Sequence, residues 1–212
     1  MRSFKAKILL IFISICLGCC VASAELKEGE DYAVLKEPLP NASNAVIYVF
    51  SYTCSLCYTY NSFIPYMAES VNVAIKPYYV WQMGEFGRIA SQVFAVALAK
   101  DKEENRNSFR GNSAFFKAEV AYFHEFHDKK RRWSSGADFL KTGLMALDMS
   151  ESKYNDMLNL GAVKRLLKEW EASYAIAAEY GVPAFVVNGK YVVINIASQK
   201  DLESKILALL KM

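Results

Sequence analysis

Ala45-Val46-Ile47-Tyr48-Val49-Phe50 is an unbroken apolar and aromatic run of strand length, and Ser51-Tyr52-Thr53-Cys54-Ser55-Leu56-Cys57 follows it directly. The run is rich in β-branched residues and shows no polar alternation, so it reads as a strand buried on both faces. After a short turn over 51–53 the pattern changes. Leu56, Tyr60, Phe63 and Met67 recur at helical spacing, with Pro65 as the expected kink. Cys54 is therefore expected at the N-terminus of a helix that leaves a central strand. Unpaired N–H groups and the positive end of the helix dipole favour an anion there, which stabilises the thiolate of Cys54. Cys57 lies one turn further in and nearer the protein, placed to resolve a mixed disulfide from within.

The other cysteines belong to a different kind of sequence. Of five in the chain, Cys16, Cys19 and Cys20 fall in the uncharged segment 8–24, which follows Arg2, Lys5 and Lys7 and closes on Ala22-Ser23-Ala24. A basic start, an apolar core too short to span a bilayer and an A-x-A end form a signal-peptide pattern, with cleavage expected after Ala24. Lipidation at Cys19 and a retained anchor are the alternatives. The exported chain would keep Cys54 and Cys57 alone. A disulfide closing so small a loop removes little entropy from the unfolded chain, so reactivity explains the pair better than stability does. Zinc usually wants four ligands, and past the leader there is no second C-x-x-C. The two histidines, His124 and His127, read as helix-surface residues. Neither a metal nor a cofactor other than the redox-active disulfide is expected.

With 212 residues, 53% hydrophobic and 22% charged, the chain has the apolar content for a sizeable core and is not a disordered tail. Its net charge of +3 comes from the three cations ahead of the apolar leader. The remainder is formally neutral and lacks the cationic surplus that nucleic-acid binding requires. The one dense basic run, Lys129-Lys130-Arg131-Arg132, reads as a solvated turn between helices.

Residues 73–80 form a second strand candidate, in which Pro77 needs a sheet edge, a strand end or a bulge. From Arg88 to Tyr180 apolar residues recur only at helical spacing. Strand character returns at Ala184-Phe185-Val186-Val187, and Asn188-Gly189 is a strong hairpin signal before Lys190-Tyr191-Val192-Val193-Ile194. Ser198 with Asp201 opens a last helix through a capping box. The expected fold is α/β, with an all-helical insertion splitting a small sheet domain.

Phe50 to Tyr58 resembles the active-site segment of the DsbA family of periplasmic thiol oxidoreductases, and Gly181 to Tyr191 resembles its cis-proline strand and hairpin; Met83-Gly84 also fits. The resemblance covers nearly all of the exported chain and implies a thioredoxin fold interrupted by a helical domain. The expected boundaries are a signal peptide at 1–24, a thioredoxin-like domain at 25–86 and 170–212, and an insertion at 87–169. It implies a monomeric dithiol oxidase of unfolded or partly folded exported proteins, reoxidised by a quinone-linked membrane partner of the DsbB type. Cys54 would be the nucleophile, Cys57 the resolving thiol and Pro183 the cis-proline beside them. Local sequence alone would make Val182-Pro183 trans; the cis assignment follows from the resemblance. Val182 before this proline resembles the oxidase branch. Four positions depart from the pattern: Ser55-Leu56 replaces Pro-His between the cysteines, Tyr48 replaces a buried acid, and Pro77 replaces its basic counterpart.

Most of the aromatics near the motif read as core, while Tyr52 and Tyr58 flank the cysteines and are expected to form an exposed rim that holds unfolded polypeptide. A reductase or isomerase is the nearest alternative activity. A copper chaperone using both thiols as ligands is the alternative from another class.

Overall fold

The computed structural model describes residues 25–212, and the leader reading, including Cys16, Cys19, Cys20 and the site after Ala24, lies outside them. Five strands form one mixed sheet: β1 (Tyr32–Val34), β2 (Ala45–Phe50), β3 (Ala74–Tyr79), β4 (Ala184–Val187) and β5 (Tyr191–Val193), in the order β1-β5-β4-β2-β3. Every residue of β2 is buried. It pairs parallel with β3 on one side and antiparallel with β4 on the other. Pro77 faces Tyr48 across the β2–β3 ladder, and β3 is the edge strand, where a residue without an N–H is tolerated. At the hairpin, Asn188 and Gly189 both take positive φ, 54° and 67°, and Lys190 N–H closes the turn onto the Val187 carbonyl at 3.0 Å.

Two short helices, α1 (Ser55–Tyr60) and α2 (Phe63–Ser70), connect β2 to β3. A single helix kinked at Pro65 was the expectation; the chain instead breaks at Asn61-Ser62. The proline ring disfavours a helical carbonyl four residues earlier, which is that of Asn61, so the interruption falls a turn upstream of the proline itself. Between β3 and β4 the chain is helical: α3 (Gly87–Glu103), α4 (Ala114–Phe123), α5 (Gly136–Leu147), α6 (Glu151–Leu158), α7 (Gly161–Glu169) and α8 (Ser173–Tyr180). A π-helical turn, His124–Asp128, extends α4, and a 3-10 turn, Trp170–Ala172, joins α7 to α8. The last helix, α9 (Gln199–Leu209), starts where the Ser198 hydroxyl accepts the Asp201 N–H at 3.1 Å.

The fold is thus thioredoxin-like with a helical insertion. Aromatic side chains weld the two parts: Phe50 of β2 and Tyr79 of β3 pack on Phe94 of α3, and Phe50 also meets Phe115 of α4. Helix α8 returns to the sheet, and the buried Ser173 hydroxyl donates to the Tyr79 carbonyl at 3.0 Å. The short strand β1 has too few residues for a periodicity signal, and it forms by pairing with the distant β5.

Candidate active site

Strand β2 ends at Phe50, and a tight turn brings the chain to Cys54. Ser51 is fully buried; its hydroxyl lies 3.0 Å from that of Thr53, and its carbonyl accepts the Cys54 N–H at 3.1 Å. Cys54 is the N-cap of α1, with extended φ and ψ of −78° and 113°, and its Sγ accepts the Cys57 N–H at 2.9 Å. The N-cap position usually holds Ser, Thr, Asp or Asn because an acceptor there satisfies a free helical N–H. Here sulfur takes that place, so the donors that would hold a hydroxyl or carboxylate oxygen stabilise a thiolate instead. A disulfide joins Cys54 to Cys57 across a Cα separation of 5.2 Å. Cys54 is 8% exposed and Cys57 wholly buried, so only the first sulfur faces an incoming thiol.

The antiparallel β2–β4 ladder sets Val49 opposite Ala184 and so carries the Val182-Pro183 segment to the same end of the sheet. The Val182-Pro183 peptide bond is cis. The Val182 carbonyl oxygen lies 3.3 Å from Cys54 Sγ, a contact in the disulfide and an acceptor for the thiol once reduced.

The two flanking tyrosines part company. Tyr52 is 2% exposed, which corrects the expectation of a rim residue. Its ring turns into the helical block and packs on Tyr122, Phe126, Trp133 and Phe139. Gly84, at φ 83°, lies so close beneath that a Cβ there would come within 2.7 Å of the Tyr52 hydroxyl and the Thr53 methyl. Tyr58, 37% exposed, stays at the surface, and Leu56, 51% exposed, stands out beside it. Helical spacing places Leu56 on the buried face, but α1 is six residues long and its first turn projects past the sheet.

The π-helical turn closes over this segment from the other side. The His127 ring stacks on that of Tyr58 at 4.9 Å, and its Nε2 lies 2.9 Å from the Tyr52 carbonyl. Asp128 accepts the Tyr58 hydroxyl at 2.5 Å and binds His124 Nδ1 at 2.6 Å. The hydrogen bonds from Tyr58 and then His124 hold the Asp128 carboxyl below its usual range, while burial first of all pulls the His127 imidazole down. The expectation that both histidines are ordinary surface residues fails for His127. The one signal in the sequence was their three-residue spacing.

Beneath α1 lies an acid that sequence reading missed. Glu119 of α4 is 1% exposed, and its Oε2 accepts the Asn61 amide at 2.8 Å while Oε1 has no partner among the described residues. Burial pushes its carboxyl up to about 8, against the opposing pull of Asn61. The Tyr48 hydroxyl is likewise buried without a partner among the described residues, and burial, with Glu119 adding, pushes that phenol far up. The basic run is mostly tied down: Lys129 and Arg131 pair with Glu125, Arg131 also with Asp138, and Arg132 lies over the Phe126 ring. Among the described residues no group of three or more His, Cys, Asp or Glu side chains could hold a metal ion, and no helix is long and apolar enough to cross a membrane.

No protein-family model matches the chain. It is 43% identical over 189 residues to the thiol:disulfide interchange protein DsbL of Escherichia coli O6:H1, covering 86% of this chain and 85% of that protein. It is 26% identical over 193 residues to the thiol:disulfide interchange protein DsbA of Dickeya dadantii, covering 88% and 86%. Among solved structures, reduced DsbL superposes with a TM-score of 0.84 at 43% identity, over 88% of this chain and all of that one.

Proposed function

Since the chain belongs to the DsbA family of thiol:disulfide interchange proteins, with DsbL among its relatives, we propose that it is an oxidase that introduces disulfide bonds into exported proteins. The observation that carries this reading is the pair itself: an accessible Cys54 Sγ at a helix N-cap, hydrogen-bonded by Cys57 N–H, with Cys57 sealed behind it. A client thiolate attacks Cys54 Sγ, the Cys54–Cys57 bond breaks, and Cys57 leaves as a thiolate that takes up a proton. A second client thiolate then attacks the client sulfur of the mixed disulfide, and Cys54 departs as a thiolate. The client has lost two electrons and the cysteine pair has gained them. Departure of Cys54 is eased by the same helix N-terminus that stabilises its thiolate.

In this reading Cys54 is the nucleophile, Cys57 the resolving thiol, and Pro183 with Val182 lines the strip beside them, where an extended client strand finds a backbone carbonyl to pair with. Tyr58 and Leu56 supply the apolar rim, in place of the buried Tyr52. The working form is a monomer in the periplasm, delivered by a signal peptide cut after Ala24. A DsbB-type quinone-linked membrane oxidase takes the electrons, and no cofactor beyond the disulfide is needed. The functional division is a thioredoxin-like domain at 25–86 and 170–212 carrying the chemistry, and an insertion at 87–169.

The test is oxidation of a reduced dithiol peptide, together with the redox state of Cys54 and Cys57 in periplasmic extracts. The oxidase reading expects turnover that Cys54→Ser abolishes, a pair found oxidised, and a potential well above the roughly −270 mV of thioredoxin. A pair held reduced in the periplasm, or a potential at the thioredoxin level, would favour a reductase instead.

A further inference from the structure

One imidazole touches both ends of the reactive motif. The His127 Nε2 lies 2.9 Å from the carbonyl of Tyr52, two residues before Cys54. The face of the same ring stacks on Tyr58, the residue after Cys57, at 4.9 Å and an interplanar angle of 9°. Tyr58 is itself fixed from the same turn, because its hydroxyl donates to Asp128 at 2.5 Å. His127 and Asp128 both come from the five-residue π-helical turn, His124–Asp128. Such turns are rare and cluster at functional sites, because the extra residue re-aims a side chain that a regular α-helix would point elsewhere.

We propose that His127 is a positioning residue for disulfide exchange: it braces the loop before Cys54 against the helix after Cys57 and so holds Cys54 Sγ on the free N–H groups of α1. The inference rests on the thiol–disulfide reading of this pair. A carbonyl oxygen only accepts, so Nε2 carries the proton and the neutral ring leaves Nδ1 bare. The hydrogen bond draws on the Tyr52 carbonyl dipole, which would otherwise stand uncompensated two residues before a thiolate on Cys54. Both effects stabilise the reduced pair, and a disulfide whose reduced form is stabilised is the stronger oxidant. The charged groups around the ring are Asp128, Lys130 and Arg132, the two cations disfavouring the imidazolium and the acid favouring it. From the active-site side it meets the Tyr58 ring and the Tyr52 carbonyl, and the rings of Phe123 and Phe126 flank it.

Two substitutions separate the contacts. His127→Phe keeps a ring to stack on Tyr58 and loses the donor; His127→Gln keeps an N–H donor and loses the stack. In folded His127→Phe the thiolate absorbance of Cys54, titrated in a Cys57→Ala background, should move to higher pH. The glutathione equilibrium should shift toward the disulfide by about threefold to tenfold, the span of one lost hydrogen bond. His127→Gln should recover part of both. A merely structural histidine would lower the melting temperature and leave both readouts in place, and that result overturns the proposal.

The wild-type protein gives a second arm that needs no variant to fold. Coupling between two sites is reciprocal, so a thiolate on Cys54 must raise the His127 titration midpoint, read by nitrogen-15 NMR of the imidazole, in the reduced protein above that in the oxidised one. Equal midpoints in the two redox states overturn the proposal. A wild-type protein that never equilibrates with glutathione sinks the oxidoreductase reading itself, whereas normal wild-type exchange with unmoved His127→Phe values sinks this inference alone.

Discussion

On the sheet side of the cysteines the reactive pair is built locally, with only the Val182 carbonyl arriving from afar: β2 ends, a three-residue turn follows, and Cys54 caps α1 with its sulfur on the N–H of Cys57, three residues on. On the helical side the contacts to the motif are all distant. His127 reaches Tyr52 across 75 residues, Asp128 reaches Tyr58 across 70, and Glu119 reaches Asn61 across 58. The reactive groups thus belong to one region, while the residues that brace the motif from outside belong to the other. The difference teaches where variation within such a fold can act, since the helical block can change the setting of the motif without altering the motif.

Tyr52 is where the two regions are welded, and it gives the largest expected effect. Its ring is enclosed by four aromatic side chains of the helical block, so Tyr52→Ala should destabilise the fold by about 3–5 kcal/mol, the range for emptying a large aromatic site. Tyr58→Ala, which gives up a partly exposed ring and its hydrogen bond to Asp128, should lose less, about 1–2 kcal/mol. Urea melts of the two variants check this. Equal losses would mean that the tyrosines are not divided between core and rim as the structure places them.

Glu119 tests the helical side by itself. Its carboxyl is held at about 8 against an ordinary 4.5, because burial disfavours the anion. Between those values the folded protein keeps a proton that the unfolded chain has released, so this group removes stability as pH rises, by about 1.4 kcal/mol per unit. Below the unfolded value both states are protonated, and above the folded value both are ionised, so the slope is confined to that window. Glu119→Gln should therefore be progressively more stable than the wild type from about pH 5 to about pH 8. A pH-independent difference between the two would show that the carboxyl titrates normally and is not sealed beneath α1.

The same division explains how much could be read from the sequence. The strand 45–50, the C-x-x-C at a helix start, the helical stretch and the Asn188-Gly189 hairpin are written in short-range patterns, and each stands where expected. Tyr52 was misplaced because alternation and spacing say which residues are apolar but not which neighbours cover them. Only tertiary packing reveals that Trp133 and Phe139 close over its ring. His127 and Glu119 were missed for a related reason: a polar residue on a helix looks solvent-facing until the partner element is placed against it. Strand β1 is three residues long and exists through its pairing with β5.

Leu56 carries the smallest effect, and it isolates the rim from the weld. The side chain stands between the cysteines, 51% exposed, and an exposed leucine on a soluble surface contributes little to folding. Leu56→Ala should change stability by no more than about 0.5 kcal/mol and leave the N-cap geometry of Cys54 intact, since alanine is an excellent helix former. A client that covers this side chain gains apolar contact, and losing roughly 1 kcal/mol of it corresponds to about a fivefold weaker capture. The expected result is a KM for an apolar dithiol peptide raised about fivefold with kcat unchanged, and no such rise for a small hydrophilic dithiol that cannot reach the rim. An equal change for both substrates would place the effect on the disulfide itself, and Leu56 would then belong with the residues that set its chemistry and not with those that hold the client.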